Sequence, residues 1–270
     1  MANLQISGLY QYPVKSLAGI AVDEIRLDDF GPAHDRRWMV VDKEGVFVTQ
    51  RSEPRLALIR PNQTSAGLVS LQIPDTESVA LTASGELQSV SVWGDRVTGL
   101  RAANGASDLL SRWLGREVYL VYMPESSVRP VDPDYVAGDR RVGFADGFPF
   151  LIVNEASLAQ VNEWSGQAWE ILRFRPGLVI RGAEPFAEDQ WQWLRVGDAV
   201  LECVKPCSRC IVTTIDPATG EPHPEREPLR TLGRHRRTSS GVIFGQNAVH
   251  WRGARISVGE QVEILDGCPL

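Results

Sequence analysis

The sequence predicts an α+β fold that is mainly β, with short strands built into a barrel or sandwich and few helices. Three observations predict it. Short apolar, β-branched runs recur along the chain and are separated by turn residues. Only two stretches space their apolar residues as a helix does. A polar tract rich in Pro, Asp, Arg and Gly, from Pro124 to Gly147, separates two stretches of such patterning.

The first strands are expected at Leu4–Gly8, Ile25–Leu27, Trp38–Asp42, Val46–Val48 and Leu68–Leu71. Asp42-Lys43-Glu44-Gly45 reads as a hairpin loop, with Gly45 free to take a positive φ. Leu109, Leu110, Trp113 and Leu114 form the apolar face of a helix that Gly115 ends. The tract from Pro124 to Gly147 is a linker or a functional loop, so a soft boundary near Val121 to Pro124 divides the chain into residues 1–122 and 123–270. Beyond it, Phe150–Val153 reads as a buried strand, and Asn154 as the N-cap of a helix carrying Leu158, Val161 and Trp164. Leu178–Ile180 and Ala199–Val204 are further strands, and Gln261–Leu265 is expected to close the sheet. The segment between Pro217 and Gly241 is polar and broken by prolines, which predicts a solvated loop. Its basic part, Arg230 to Arg237, could also rim a site or meet an acidic electron-donor protein by charge complementarity.

At 270 residues, 43% hydrophobic and 23% charged, the chain suits one large or two small globular domains. Its net charge of −6 argues against nonspecific nucleic-acid binding, which depends on neutralising phosphates. Met1–Ile6 lacks the pattern of a secretory leader, and no apolar run approaches the ~20 residues of a membrane helix. Four cysteines, three of them crowded together, do not resemble the framework of a small secreted domain. A soluble protein of the reducing cytoplasm, with no membrane span, is therefore expected.

The densest chemistry lies in Glu202–Gly220. Cys203, Cys207 and Cys210 alternate there with Lys205 and Arg209, ahead of an Asp216-Pro217 turn. Nearby cations favour the thiolate, so Lys205 and Arg209 would activate Cys207 or Cys210. The β-branched run Ile211–Thr214 would hold Cys210 at the mouth of a strand. Three readings stand: a zinc site, for which the fourth ligand has no recognisable spacing; buried core thiols, which suits Cys203 and Cys268; and a single thiolate, Cys210, at a cofactor.

The run Cys207-Ser208-Arg209-Cys210-Ile211-Val212-Thr213-Thr214-Ile215-Asp216-Pro217-Ala218-Thr219-Gly220 resembles the signature of MOSC domains. Tyr12-Pro13-Val14-Lys15-Ser16 resembles the start of the N-terminal β-barrel domain that accompanies MOSC in the amidoxime-reducing components and their bacterial relatives. Asp35–Trp38, Pro149–Ile152, Asn154–Leu158, Phe174–Pro176 and Phe244–Gln246 follow that family in order, so the resemblance spans nearly the whole chain. It implies an N-terminal β-barrel-like domain packed on a MOSC β-barrel domain, with Mo-molybdopterin between them. Cys210 would ligate molybdenum and be the catalytic residue. Lys15, Ser16, Arg36, Arg175, Ser208 and Arg209 would bind the pterin and its phosphate, Arg offering a planar fork of donors and Lys a point charge. Asp146, Gly147, Phe148 and Asn247 complete the expected cofactor-binding set, although the chain departs from the family at Asp146-Gly147-Phe148, where contacts would come from backbone amides, at Gly177, and at Asn247.

The implied activity is reduction of small N-hydroxylated substrates (amidoximes, hydroxylamines, N-hydroxylated bases) by oxygen-atom transfer. The electrons would come from a separate ferredoxin- or cytochrome-like donor with its reductase. No Gly-x-Gly-x-x-Gly occurs, and after Gly220 only Cys268 remains of the four cysteines that a plant-type cluster needs. The alternatives are a persulfide carrier using Cys207 or Cys210, and a protein that carries or stores the cofactor.

Overall fold

The computed structural model describes residues 3–64 and 66–269. Met1 and Ala2, which head the stretch read as carrying no leader, lie outside the described residues with Ser65 and Leu270. The architecture is mostly β, as the turn-punctuated sequence predicts, with three α-helices among the described residues.

Most of the second half forms a barrel. Its strands run, in spatial order, Val262–Leu265, Trp193–Val196, Ala199–Ser208, Gly241–Arg252, Phe150–Asn154, Leu178–Arg181 and Gln5–Gln11. Neighbours are antiparallel except Phe150–Asn154 with Leu178–Arg181. The last strand meets the first: Ile6 N–H donates to Glu260 O and Val262 N–H to Leu4 O, each at 2.9 Å. Closure pairs the start of Gln5–Gln11, while its end pairs with Ile20–Val22, which extends the sheet by one more strand. Alternating side chains, among them Ile6, Ile152, Leu178, Ile180, Leu194, Leu201 and Ala248, fill the interior.

The first half contributes a four-stranded sheet ordered Trp38–Val41, Tyr119–Tyr122, Asp95–Ala102 and Ala83–Val92. A three-stranded sheet of Arg60–Gln63, Val69–Gln72 and Val79–Leu81 lies beside it. Helix α1, Ala106–Leu114, buries Ala106, Leu110 and Leu114 against this core. It ends at Gly115, whose φ of +69° suits the left-handed cap. Because Gln5–Gln11 belongs to the barrel, the segment after it straps the two β units together. Lys15 N–H bonds Trp38 O at 2.8 Å, and Val14 bridges Trp38.

Helix α2, Glu155–Ser165, starts as expected, with Asn154 Oδ1 accepting from Ala156 N–H at 3.1 Å. The Asp42 turn is also as expected: its carboxylate accepts from Glu44 and Val46 N–H, and Gly45 has φ +80°. Four expectations differ. Val46 and Phe47 make isolated bridges rather than a regular strand. Ile211–Thr214 is a 3₁₀ turn, because Thr213 and Thr214 hydroxyls bond back to Cys210 O (3.0 Å) and Ile211 O (2.7 Å). The Pro217–Gly241 loop contains helix α3, Leu229–His235, which Leu232 anchors by full burial beneath it. Cys268 is exposed rather than buried, since it lies beyond the last strand.

Strand Gly241–Arg252 carries Phe244, fully buried with its ring centroid 4.3 Å from that of Phe174. Phe244→Ala should lower stability by about 3–5 kcal/mol, the usual loss for emptying an aromatic core site. A chemical-denaturation midpoint close to wild type would contradict this.

Candidate functional site

Strand Ala199–Ser208 reaches the end of the barrel where the first-half strap crosses, and the chain then turns through Arg209 and Cys210. Arg209 N–H bonds Val242 O at 2.7 Å, and Ser208 Oγ donates to Ser240 O at 2.7 Å, so this turn is tied to strand Gly241–Arg252. Cys210 is exposed and lines an open cleft. Cys207 lines it too. Cys203, by contrast, packs against the barrel core, and burial pushes its thiol up to about 12, as befits a core cysteine.

The cleft brings together every site residue expected from sequence: Lys15, Ser16, Arg36, Asp146, Gly147, Phe148, Arg175, Ser208, Arg209, Cys210 and Asn247. Ser16, Arg36 and Arg175 have φ of 68°, 47° and 55°. Non-glycine residues seldom adopt this region, and where they do the strain often serves a site.

A buried acid organises the first-half part. Asp35 Oδ1 accepts from Tyr12 N–H at 2.6 Å, and Oδ2 pairs with Arg36. The Tyr12 hydroxyl donates across to Pro176 O at 3.0 Å. Both Arg36 and Arg175 lie over the Tyr12 ring, 4.6 and 4.3 Å from its centroid. One ring thus sets the spacing of cations from both halves. Arg175 also donates to Leu17 O at 2.7 Å, and burial lowers it to about 10, which leaves it charged at neutral pH.

Lys15 is 4% exposed, and burial lowers its amine to about 8 although the Asp146 carboxylate beside it pulls the other way. The Asp146 side chain therefore lines the cleft beside Lys15, adding a carboxylate to the backbone amides expected there. It also accepts from Trp93 Nε1 at 3.2 Å and lies 3.9 Å from Arg51. Its attraction to those cations draws it in. Lys205 differs as well: it stacks over Tyr135, 3.9 Å from the ring centroid, instead of facing the thiols. The cation at Cys210 is Arg51, with Nη1 3.7 Å from Sγ, while Arg209 Nη1 meets Cys207 Sγ at 3.0 Å.

Thr49, Gln50 and Arg51 were not foreseen. Gln50 Nε2 donates to Ser16 O at 2.6 Å, and all three line the cleft. Their one sequence signal is a polar triplet directly after the apolar run Val46–Val48, with no turn glycine between. Asp216, read as a turn residue, accepts from Ala218 N–H at 2.8 Å and pairs with Arg173 at 2.6 Å.

Five cations (Lys15, Arg36, Arg51, Arg175, Arg209) and one carboxylate, Asp146, line the cleft. Among the described residues, Arg209 Nε is buried without a partner. This donor set fits a polyanionic group. The added space at Gly147, where a Cβ would meet nothing within 4 Å, leaves room for it.

A barrel completed by the first strand, a second β unit strapped across it and a cationic cleft holding Cys-x-x-Cys define a protein of the MOSC type. Residues 3–117 match the MOSC N-terminal beta barrel domain and residues 139–263 the MOSC domain, and the chain belongs to this family. It is similar to mitochondrial amidoxime-reducing component 1 of Homo sapiens, at 33% identity over 96% of this chain and 82% of that protein. Mitochondrial amidoxime reducing component 2 of Homo sapiens is 30% identical over 86% of this chain and 72% of its own length. A molybdenum cofactor sulfurase of Danio rerio is 31% identical over 92% of this chain, which corresponds to 32% of the sulfurase.

Lys15 gives the site a pH signature. Its folded value of about 8 lies below its ordinary 10.5, so between these pH values the unfolded chain binds more protons and stability rises with pH. Lys15→Met should abolish that rise, measured as the wild-type minus variant unfolding free energy from pH 7 to 10.5. Affinity for sulfate, whose charge is constant across the window, should fall through pH 8 in wild type only. A wild-type minus variant difference that stays flat across this range would contradict the placement of the amine.

Proposed function

We propose that the protein is a molybdenum-cofactor-dependent oxidoreductase that reduces N-hydroxylated compounds such as amidoximes and hydroxylamines. The observation that carries this reading is the convergence, in one cleft, of five cations from both halves with the exposed Cys210. Family membership and the names of the relatives support the cofactor class, Mo-molybdopterin, and the amidoxime substrates.

In this reading Cys210 holds the metal, and Lys15, Ser16, Arg36, Arg175, Ser208 and Arg209 hold the pterin and its phosphate. Asp146, Gly147, Phe148 and Asn247 form the walls around it. When bound, the cofactor supplies two-electron oxygen-atom-transfer chemistry, which no side chain of the protein can provide. The chain's own residues bind, orient and neutralise. Arg36 and Arg175, spaced by Tyr12, present guanidinium donors to the phosphate; Lys15 adds a charge from within the protein; Arg51 stands beside the sulfur. Preorganised charge of this kind favours an anion without reorganisation at the moment of reaction. The net reaction cleaves the N–O bond, consumes two electrons and two protons and releases the oxygen as water. A separate electron-carrier protein supplies the electrons.

Protein from a cofactor-competent host should contain molybdenum and pterin and reduce benzamidoxime with reduced methyl viologen. Cys210→Ala should lower the molybdenum content and slow reduction more than about 100-fold, since even groups behind a metal ligand are worth 10- to 100-fold. Equal molybdenum and equal rates in the two proteins would overturn the assignment. Cyanide-releasable sulfur that disappears in Cys210→Ser, from a preparation without molybdenum, would favour the sulfur-carrier alternative.

A further inference from the structure

The protein has a net charge of −6, yet residues 226–237 hold Arg226, Arg230, Arg234, Arg236 and Arg237 against a single acid, Glu227. Glu227 is buried and accepts from Thr231 N–H at 3.0 Å, so it caps α3 rather than neutralising the arginines. Arg230 pairs with Glu225 at 3.5 Å, and Arg236 with Asp189. Arg226, Arg234 and Arg237 are exposed and have no carboxylate partner among the described residues.

The patch stands on a rigid base beside the cleft. Arg236 lies over Phe186 at 4.2 Å, His235 stacks on Trp164 with centroids 4.2 Å apart and planes 12° apart, and Leu232 is fully buried below. Arg237 and Thr238 pair with Val242 and Gly241, and this hairpin is bonded to the cysteine turn through Ser208 Oγ to Ser240 O and Arg209 N–H to Val242 O, each at 2.7 Å. A protein docked on the arginines therefore lies one layer of hydrogen bonds from the backbone that carries Cys210. Three unpaired cations on a protein of net negative charge suit a compact acidic partner better than a long polyanion, which the rest of the surface repels.

We infer that Arg226, Arg234 and Arg237 form the docking face for an acidic electron-carrier protein. The inference rests on the oxidoreductase reading above, in which two reduced one-electron carriers are oxidised for each N–O bond cleaved, with two protons from solvent and one water released.

The test compares wild type with the triple variant Arg226→Glu, Arg234→Glu, Arg237→Glu, using a plant-type [2Fe–2S] ferredoxin kept reduced by its nicotinamide-dependent reductase. Two quantities are read: ferredoxin affinity by calorimetry, and the ratio of ferredoxin-driven to viologen-driven benzamidoxime reduction. Both should fall about tenfold or more in the variant, and added salt should weaken wild-type binding in the same direction. Unchanged affinity and ratio would overturn the inference. So would wild type that does not bind ferredoxin, or a variant whose only loss is binding to phosphatidylglycerol vesicles or RNA. If viologen drives no reduction in wild type, the oxidoreductase reading fails, and the affinity measurement still decides the docking face.

Discussion

The site depends on one buried knot, in which Asp35 holds the Tyr12 backbone and the Arg36 guanidinium together while the Tyr12 hydroxyl reaches Pro176. Burial pushes the Asp35 carboxyl up, and the hydrogen bond from Tyr12 and the charge of Arg36 work against that rise. Tyr12 is 1% exposed, and burial raises its hydroxyl well above the ordinary value, so it stays a neutral donor to Pro176 O. Gly19 is part of the same fit: a Cβ there would lie 2.5 Å from the Tyr12 ring, which leaves no room for a side chain. The distance between cations contributed by the two halves is thus set by a neutral ring wedged between them.

Barrel closure explains why the knot and the cysteine turn meet. The first strand runs against Leu178–Arg181, so Tyr12 emerges beside Arg175 and Pro176, residues that precede that strand by a few positions. Arg209 then reaches back to the same corner, donating to Phe174 O at 2.7 Å. A segment from near the start of the chain, one from its middle and one from its last third therefore share one corner. Strand adjacency brings the first two together, and the Arg209 hydrogen bond to Phe174 O brings in the third.

Much of this could be read in the sequence where a local rule governs. Asn154 capping, the Gly115 helix stop and the Asp42 turn are each decided by a few neighbouring residues, and they occur where expected. The family motifs located the cleft residues because each motif carries its own backbone conformation. Ile211–Thr214 misled because β-branched residues suggest a strand, whereas the threonine hydroxyls bond to the preceding turn. Arg51 went unread and Lys205 misled for another reason: where a long or charged side chain points is decided by partners remote in sequence. Asp146 turns inward because Lys15, distant in the chain, is there to meet it.

The arginines of this protein provide an internal comparison for the meaning of the cleft. Arg37 is 1% exposed and is satisfied by Met123 O at 2.6 and 3.0 Å and by Glu125 at 2.8 Å. Arg129, 3% exposed, is likewise matched by Asp95 at 2.8 Å, Gly143 O at 2.8 Å and Ala145 O at 2.5 Å. These are structural cations, for which folding supplies the acceptors that burial demands. Around the cleft the matching stops: Arg175 has Leu17 O as its acceptor among the described residues, Arg209 leaves Nε without one, and Lys15 remains buried at a lowered pKa. Arg37 and Arg129 are thus fully matched, whereas Arg175 and Arg209 at the cleft carry donors beyond the acceptors the described residues supply. Like charges gathered in that way destabilise the fold, and a ligand bearing the missing acceptors would return the loss through binding linkage. The deficit thus supports a ligand that is anionic, large enough to span from Lys15 to Arg209, and bound between the two halves.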